Sequence, residues 1–382
     1  MKIVFLQNTI DAQGGILTVN RTLAQAFQTQ GDQVFFVSLR HALVRSPIEY
    51  PAPSEIINDA REWSCPRLSE AWALLRKGKI FRGLQLLGKR IAYDYTLHRD
   101  YRACQARLLQ LQPDIIINSH YELLDCIPAS LLPRTINHFH TSFGQVRQLR
   151  SYQKIFKRYR NKLGKFVWLS KASCAEAQKF GLQNSLCIYN PLSFHSSESA
   201  DLGKHRALFL GRFSPEKRLD LAIRLFQQAA SMQAEDWALD IYGIGDLDAA
   251  LQQQIEQDSR ITYCGSTTTP QKVILQHSIF LLTSSFEGMP LVVLEAAACG
   301  VPTIAFDFGE TAQEVIHDHS TGLLLPAGAE DAYVSALAAL MEDASLRRQL
   351  GSNAKAFSQT FEMERILGEW NQLFAKICRE EA

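Results

Sequence analysis

Residues 286–300 read FEGMPLVVLEAAACG, and their reading decides the fold. The run Ile279 to Leu282 just before them is short, apolar and bounded by polar residues, which predicts a buried strand. Thr283 to Met289 follows as a loop, and Pro290 is placed as the first helical residue, where its fixed φ and missing N–H cost nothing. Ala296 to Ala298 keep the helix thin enough to press on a sheet, and Cys299-Gly300-Val301-Pro302 ends it, with glycine at the C-cap and proline beyond. Strand, loop and helix in this order form half of a βαβ unit. Glu287 lies on the loop and Glu295 in the second helical turn, on either side of a helix start rich in unpaired amides. A carboxylate beside such a positive end suits hydroxyl groups, with an anion held between them on the amides.

The same unit recurs along the chain. Short runs rich in Val, Ile and Phe predict strands at Lys2 to Leu6, Val34 to Val37, Asp114 to Ile117, Thr135 to Phe139 and Phe166 to Leu169, then at Arg206 to Leu210, Leu239 to Tyr242, Ile279 to Leu282 and Pro302 to Phe306. Amphipathic stretches such as Ile16 to Gln28 and Leu219 to Ala230 alternate with them, so the fold class is α/β with parallel sheets. A length of 382 residues exceeds what one core usually supports, and two lobes follow. The polar run from Ile188 to His205 is the expected linker. Ligands of such sheets bind beyond the carboxyl ends of the strands, here in the cleft between lobes.

Composition removes several classes. At 46% hydrophobic and 21% charged the chain has the make-up of a globular protein rather than of a disordered one. Its eight cysteines, Cys65, Cys126, Cys187 and Cys299 among them, form no C-x-x-C pair, which argues against a disulfide framework or thiolate zinc site and favours a reducing cytosol. The apolar run at the start spans four residues, short for a signal peptide, and no window reaches membrane-spanning length, so the expected location is cytoplasmic.

The net charge of +1 hides a division. Residues 1–175 carry 25 basic and 12 acidic residues, a net +13, and the remainder carries 15 and 27, a net −12. No acid occurs between Asp125 and Glu176, where Arg147, Arg150, Lys154, Lys157, Arg158 and Arg160 follow closely. A second acid-free span, Ala71 to Tyr93, interleaves leucines and Phe81 with Arg76, Lys77, Lys79, Arg82 and Lys89. Either span fits an anionic surface, phospholipid headgroups or a phosphate-bearing acceptor, and a solvated helix face is the equal alternative.

Two motifs suggest an anion site, and a third turn lies beside them. Gly14 and Gly15 stand between the first strand and its helix, where backbone amides can reach a ligand, although a tight turn alone also needs glycine. In ALFLGRFSPEKRLD, Arg212 and Lys217 flank a Ser-Pro turn after a strand; a guanidinium fork and an ammonium suit a diphosphate, and the alternative is a charged surface loop. DIYGIGDLDAAL supplies Gly243 and Gly245 before a helix that Asp246 can cap; its D-x-D spelling is better explained by capping than by metal binding. There is no full G-x-G-x-x-G or Walker pattern.

GRFSPEKRLD, the YGIGD turn, FEGMPLVVLEAAACGVP and TGLLLPAGAEDAYVSAL, in this order and spacing, resemble the retaining glycosyltransferases of family 4. The resemblance is strong over Ala207 to Met341 and continues more weakly through Gly14-Gly15, DIIINSH and FVWLSKASCAEA. It implies the GT-B fold: two Rossmann-like βαβ domains facing each other across a cleft, an acceptor-binding domain over 1–192, a nucleotide-sugar-binding domain over 193–365, and a C-terminal helix, 366–382, packing back on the first. Residue by residue, the resemblance implies that Arg212 and Lys217 neutralise the donor diphosphate, Glu295 binds the ribose and Glu287 holds the transferred sugar. Gly288, Met289 and Leu291 lend backbone amides, Gly14 and Gly15 close over the donor, and His120 approaches the sugar at the reaction centre. His138 and His140 share a strand face, and a metal site with His120 is a lesser alternative to an acceptor-side or structural role.

The implied reaction is metal-independent, needs no cofactor, and moves a hexose or N-acetylhexosamine from a nucleotide-diphosphate sugar, such as a UDP-sugar, with retention. The charge pattern and the habit of the family favour an anionic or lipid-linked glycan acceptor of the cell envelope, as in capsule or lipopolysaccharide synthesis. They also favour peripheral contact with an anionic membrane, and no nucleic acid partner. The rival readings are a non-catalytic nucleotide-sugar-binding protein and a GT-B epimerase or phosphorylase.

Overall fold

The computed structural model of the protein describes residues 1–11, 14–42, 50–59 and 68–380; Cys65 and the last two positions of the expected terminal helix lie outside them. Two parallel sheets are present. The first contains β1 (Lys2–Gln7), β2 (Gln33–Ser38), β3 (Ser54–Ile56), β4 (Ile115–Asn118), β5 (Thr135–His138), β6 (Lys165–Trp168) and β7 (Ser185–Cys187), in the order β3-β2-β1-β4-β5-β6-β7. The second contains β8 (Arg206–Leu210), β9 (Ala238–Tyr242), β10 (Ile261–Tyr263), β11 (Ile279–Leu282), β12 (Thr303–Phe306) and β13 (Gly322–Leu325), in the order β10-β9-β8-β11-β12-β13.

Central strands are apolar on both faces because helices cover both. In β1, Val4 and Leu6 feed one core while Ile3 and Phe5 feed the core on the opposite face. In β11, Ile279 and Leu281 face one way, Phe280 and Leu282 the other. This architecture of two facing parallel α/β sheets is the GT-B fold. The helix Met363–Glu380 at the end of the chain packs on the first sheet rather than the second: Trp370 meets Phe27 edge-on at 6.4 Å, and Phe374 lies 5.2 Å from the same ring.

Two local expectations are corrected. Pro290 caps the helix Leu291–Ala298 in an extended conformation instead of opening it, and Gly300, at φ +72°, follows the end of that helix as the left-handed C-cap glycine. Asp248, not Asp246, caps the helix Ala249–Gln257, its Oδ1 accepting from Leu251 N at 2.8 Å. The run Ile188–His205 joins the lobes but is tied down: Leu192 N donates to Phe361 O, Ala200 N to Cys299 O, and the buried Arg347 guanidinium to Leu202 O.

Candidate functional site

Each sheet reverses its strand order at one place, between β1 and β4 in the first and between β8 and β11 in the second. In open parallel sheets this is where ligands bind. Every expected site residue follows one of these four strands: Gly14 and Gly15 follow β1, His120 follows β4, Arg212 and Lys217 follow β8, and Glu287 to Glu295 follow β11.

In the second lobe, Lys217 and Glu287 are brought together. Lys217 Nζ donates to Glu287 Oε1 at 2.5 Å, and both side chains are largely buried, 15% and 12% exposed. Backbone geometry holds them there. Thr283 Oγ1 donates to the carbonyls of Lys217 and Arg218, and Ser285 N to Glu216 O, so the Pro215–Lys217 turn is stitched to the loop after β11. Arg212 stands exposed beside this turn, close enough that its charge and that of Lys217 help hold the Glu216 carboxyl down, after the larger contribution of the Ser214 hydroxyl. Gly243 is required by packing, since a Cβ there meets Gly211 O at 1.9 Å.

Glu295 lies deeper. Its Oε1 accepts from Ser193 Oγ at 2.5 Å, and burial raises its pKa. Met289 is buried, its Sδ accepting from Asn190 N, and Leu291 touches the first-lobe core. Gly14 caps the helix Gly15–Thr29, and a Cβ at Gly14 or Gly15 meets nothing within 4 Å, so these glycines border open space.

The first lobe contributes imidazoles. His120 is half-buried at the end of β4, with Asn118 Nδ2 donating to its carbonyl at 2.9 Å and to Asn137 Oδ1 at 2.6 Å. The rings of His138 and His140 lie 4.2 Å apart, and Trp370 sits 5.3 Å from His138. Among the described residues no group of three or more His, Cys, Asp or Glu is arranged to hold a metal ion, these imidazoles included. Burial depresses His120 to about 4 and His138 to about 3, so at neutral pH both are uncharged.

These shifts have a measurable consequence. Both values lie below the unfolded-chain value near 6.5, so as pH falls from there the unfolded chain binds more protons and stability declines, with no effect of these groups above it. Thermal melts between pH 7.5 and 4.5 are expected to show this decline, and His138→Phe to make it shallower. An unchanged slope would assign the proton uptake to other groups.

Two carboxylates that local spacing did not single out join the lobes. Glu310 accepts from Gly144 N at 2.8 Å and from the Ser173 hydroxyl, and Glu314 accepts from Lys171 N, Ala172 N and the Tyr189 hydroxyl. Second-lobe carboxylates thereby cap the first-lobe helices Phe143–Val146 and Lys171–Lys179. On the other side of this boundary Gly288 lies directly against the His140 carbonyl: a Cβ there would be 2.1 Å from His140 O.

Comparison with known proteins agrees with this geometry. Residues 193–357 match the family described as Glycosyl transferases group 1. An uncharacterized glycosyltransferase of Haemophilus influenzae is 26% identical over 295 residues, 72% of this chain and 81% of that protein. The poly(ribitol-phosphate) alpha-N-acetylglucosaminyltransferase of Staphylococcus aureus is 26% identical over 246 residues, 63% of this chain but 49% of that enzyme. Among solved structures, S. aureus TarM in complex with fondaparinux, alpha-GlcNAc-glycerol and UDP superposes with a TM-score of 0.73 at 15% identity, covering 98% of this chain and 99% of that one. Anabaena HepE in complex with UDP and glucose gives 0.67 at 16% identity, covering 98% and 100%. The chain thus has the GT-B fold, and residues 193–357 of it are similar to the glycosyl transferases of group 1.

Proposed function

We propose that the protein is a retaining, metal-independent glycosyltransferase of family 4 that moves a hexose or N-acetylhexosamine from a nucleotide-diphosphate sugar to a cell-envelope glycan acceptor. The observation that carries this reading is the Lys217–Glu287 pair at the second-lobe switch point, beside the start of the helix Leu291–Ala298 and next to Gly288, which lies against the His140 carbonyl just past β5. A cation, a carboxylate and helix amides in one place meet the needs of a sugar diphosphate: hydroxyls for the carboxylate, phosphates for the rest. Solved neighbours bound to UDP favour a UDP-sugar. The S. aureus relative and a Campylobacter jejuni alpha-1,4-N-acetyl-D-galactosaminyltransferase whose name specifies an undecaprenol-linked substrate favour an envelope acceptor.

In this reading Glu287 orients the transferred sugar, Glu295 holds the ribose, and Gly14 and Gly15 leave room for the phosphates. Arg212, Lys217 and the amides of Gly288, Met289 and Leu291 stabilise the charge that develops on the departing diphosphate. The acceptor hydroxyl attacks from the face the diphosphate leaves, passing its proton to a phosphate oxygen, with neutral His120 lining the reaction centre. The meeting of the lobes excludes water.

The test is donor turnover with EDTA present. Nucleotide diphosphate is expected to accumulate only when acceptor is added, at an undiminished rate in EDTA. Activity lost in EDTA and restored by manganese would overturn metal independence. Binding of nucleotide sugar with no turnover on any envelope acceptor would favour the binding-protein reading.

A further inference from the structure

We propose that the helical hairpin formed by Leu68–Arg76 and Ile80–Leu111 docks the protein on an anionic lipid bilayer, inserting an apolar stripe among the headgroups while flanking cations pair with phosphates. The two helices are separated by a turn at Gly78, whose φ is +72°. They pack tightly enough that a Cβ on Gly83 would meet the Leu75 side chain at 2.6 Å, so the hairpin tip is a built unit.

Ile80, Leu84, Leu87, Ile91 and Tyr95 recur at steps of four, three, four and four, which places them on one side of a helix. That side is turned outward at Ile80, Leu84, Ile91 and Tyr95, 61%, 57%, 70% and 74% exposed, with Leu87 half-buried between them, and Phe81 next to the stripe is 82% exposed. Trp72 on the partner helix is likewise exposed. The core-facing side of the long helix is different, carrying Cys104, Leu108 and Leu111, and its anchors lie in its second half. There Asp100 receives the Arg40 guanidinium at 2.7 Å and Arg107 pairs with Glu55 at 2.6 Å.

Charge selects the occupant. Arg76, Lys77, Lys79, Arg82 and Lys89 are exposed around the tip, and residues 71–93 contain no acid. A second copy of this hairpin would set these cations against one another. A nucleic acid would satisfy the cations and leave the apolar stripe in water. A bilayer with anionic headgroups takes both, since apolar side chains sit at the acyl boundary and lysines and arginines at the phosphates. No helix among the described residues is long and apolar enough to cross a membrane, so the contact is interfacial.

Vesicle co-flotation of the full chain tests this without donor or acceptor, so its outcome is separable from that of the transferase reading. At low salt the protein is expected to float with phosphatidylglycerol–phosphatidylcholine vesicles and to stay soluble with phosphatidylcholine alone. The variant Lys77→Gln/Lys79→Gln/Arg82→Gln should lose about fivefold in partition for each cation removed. The variant Ile80→Gln/Phe81→Gln/Leu84→Gln, altering exposed positions only, should lose binding with an unchanged melting temperature. Wild-type protein that stays soluble with the anionic vesicles overturns the proposal, as does an apolar-stripe variant that floats like wild type. A wild-type dimer that this variant turns into a monomer overturns it in favour of self-association.

Discussion

Lys217→Ala is expected to lower kcat/KM by about 100- to 1000-fold, the range seen when one preorganised donor to a developing anion is lost. Two effects are entangled in that substitution. In the proposed mechanism Nζ stabilises the leaving diphosphate, and it is also the partner of Glu287, 12% exposed, whose carboxylate would be left buried without its cation. Removing one member of a buried pair is destabilising, whereas removing both can be nearly neutral. The double variant Lys217→Ala/Glu287→Gln separates the effects: it should recover much of the melting temperature lost by the single variant and none of the turnover. If turnover returns together with stability, the pair is structural and the diphosphate is held elsewhere. Arg212→Ala makes a control, since Arg212 is exposed and its loss should weaken donor binding with little change in stability.

The central strands and the second-lobe site were legible in the sequence because both are local. A strand buried on both faces is a continuous apolar run, and a residue following such a strand lies at the carboxyl edge of the sheet wherever the strand goes. The four strands that escaped the sequence reading are β3, β7, β10 and β13, and these are the four sheet edges. An edge strand is half-covered and short, so SEI, SLC and ITY carry no apolar run to read. Asp248 took the capping role expected of Asp246 because the turn runs two residues longer, with Gly243 and Gly245 pressed on Gly211 and Phe213 before the helix begins. Glu310 and Glu314 had no readable signal. Their partners Ser173, Lys171 and Gly144 lie more than 130 residues away, and nothing in local spacing specifies a contact across the lobe boundary.

That boundary gives the opposite charges of the two halves a concrete meeting point. Glu310 and Glu314, from the acidic half, accept hydrogen bonds from backbone amides at the starts of helices in the basic half, where the helix dipole favours carboxylates. These contacts are hydrogen-bonded, and beside them Leu291 of the second lobe packs on the first-lobe core.

Gly288→Ala should lower transfer about 100-fold while largely sparing donor binding. The added methyl would come within 2.1 Å of His140 O and 2.8 Å of its carbonyl carbon, atoms of backbone that cannot rotate aside. The second-lobe loop must therefore retreat from the first lobe by about an ångström or more, and a misplacement of that size between reacting groups costs about 100-fold in rate. Lys217, Glu287 and Glu295 all belong to the second lobe, so the affinity for nucleotide diphosphate should stay within a few fold of wild type. In the proposed reading His120 and the acceptor belong to the first, so kcat carries the loss. Calorimetric titration of the nucleotide diphosphate beside steady-state turnover makes the comparison. Loss of both would mean that the retreating loop also withdraws its amides from the diphosphate. Retention of both would mean that the lobes react from a more open arrangement, in which the approach of Gly288 to His140 belongs to the resting enzyme.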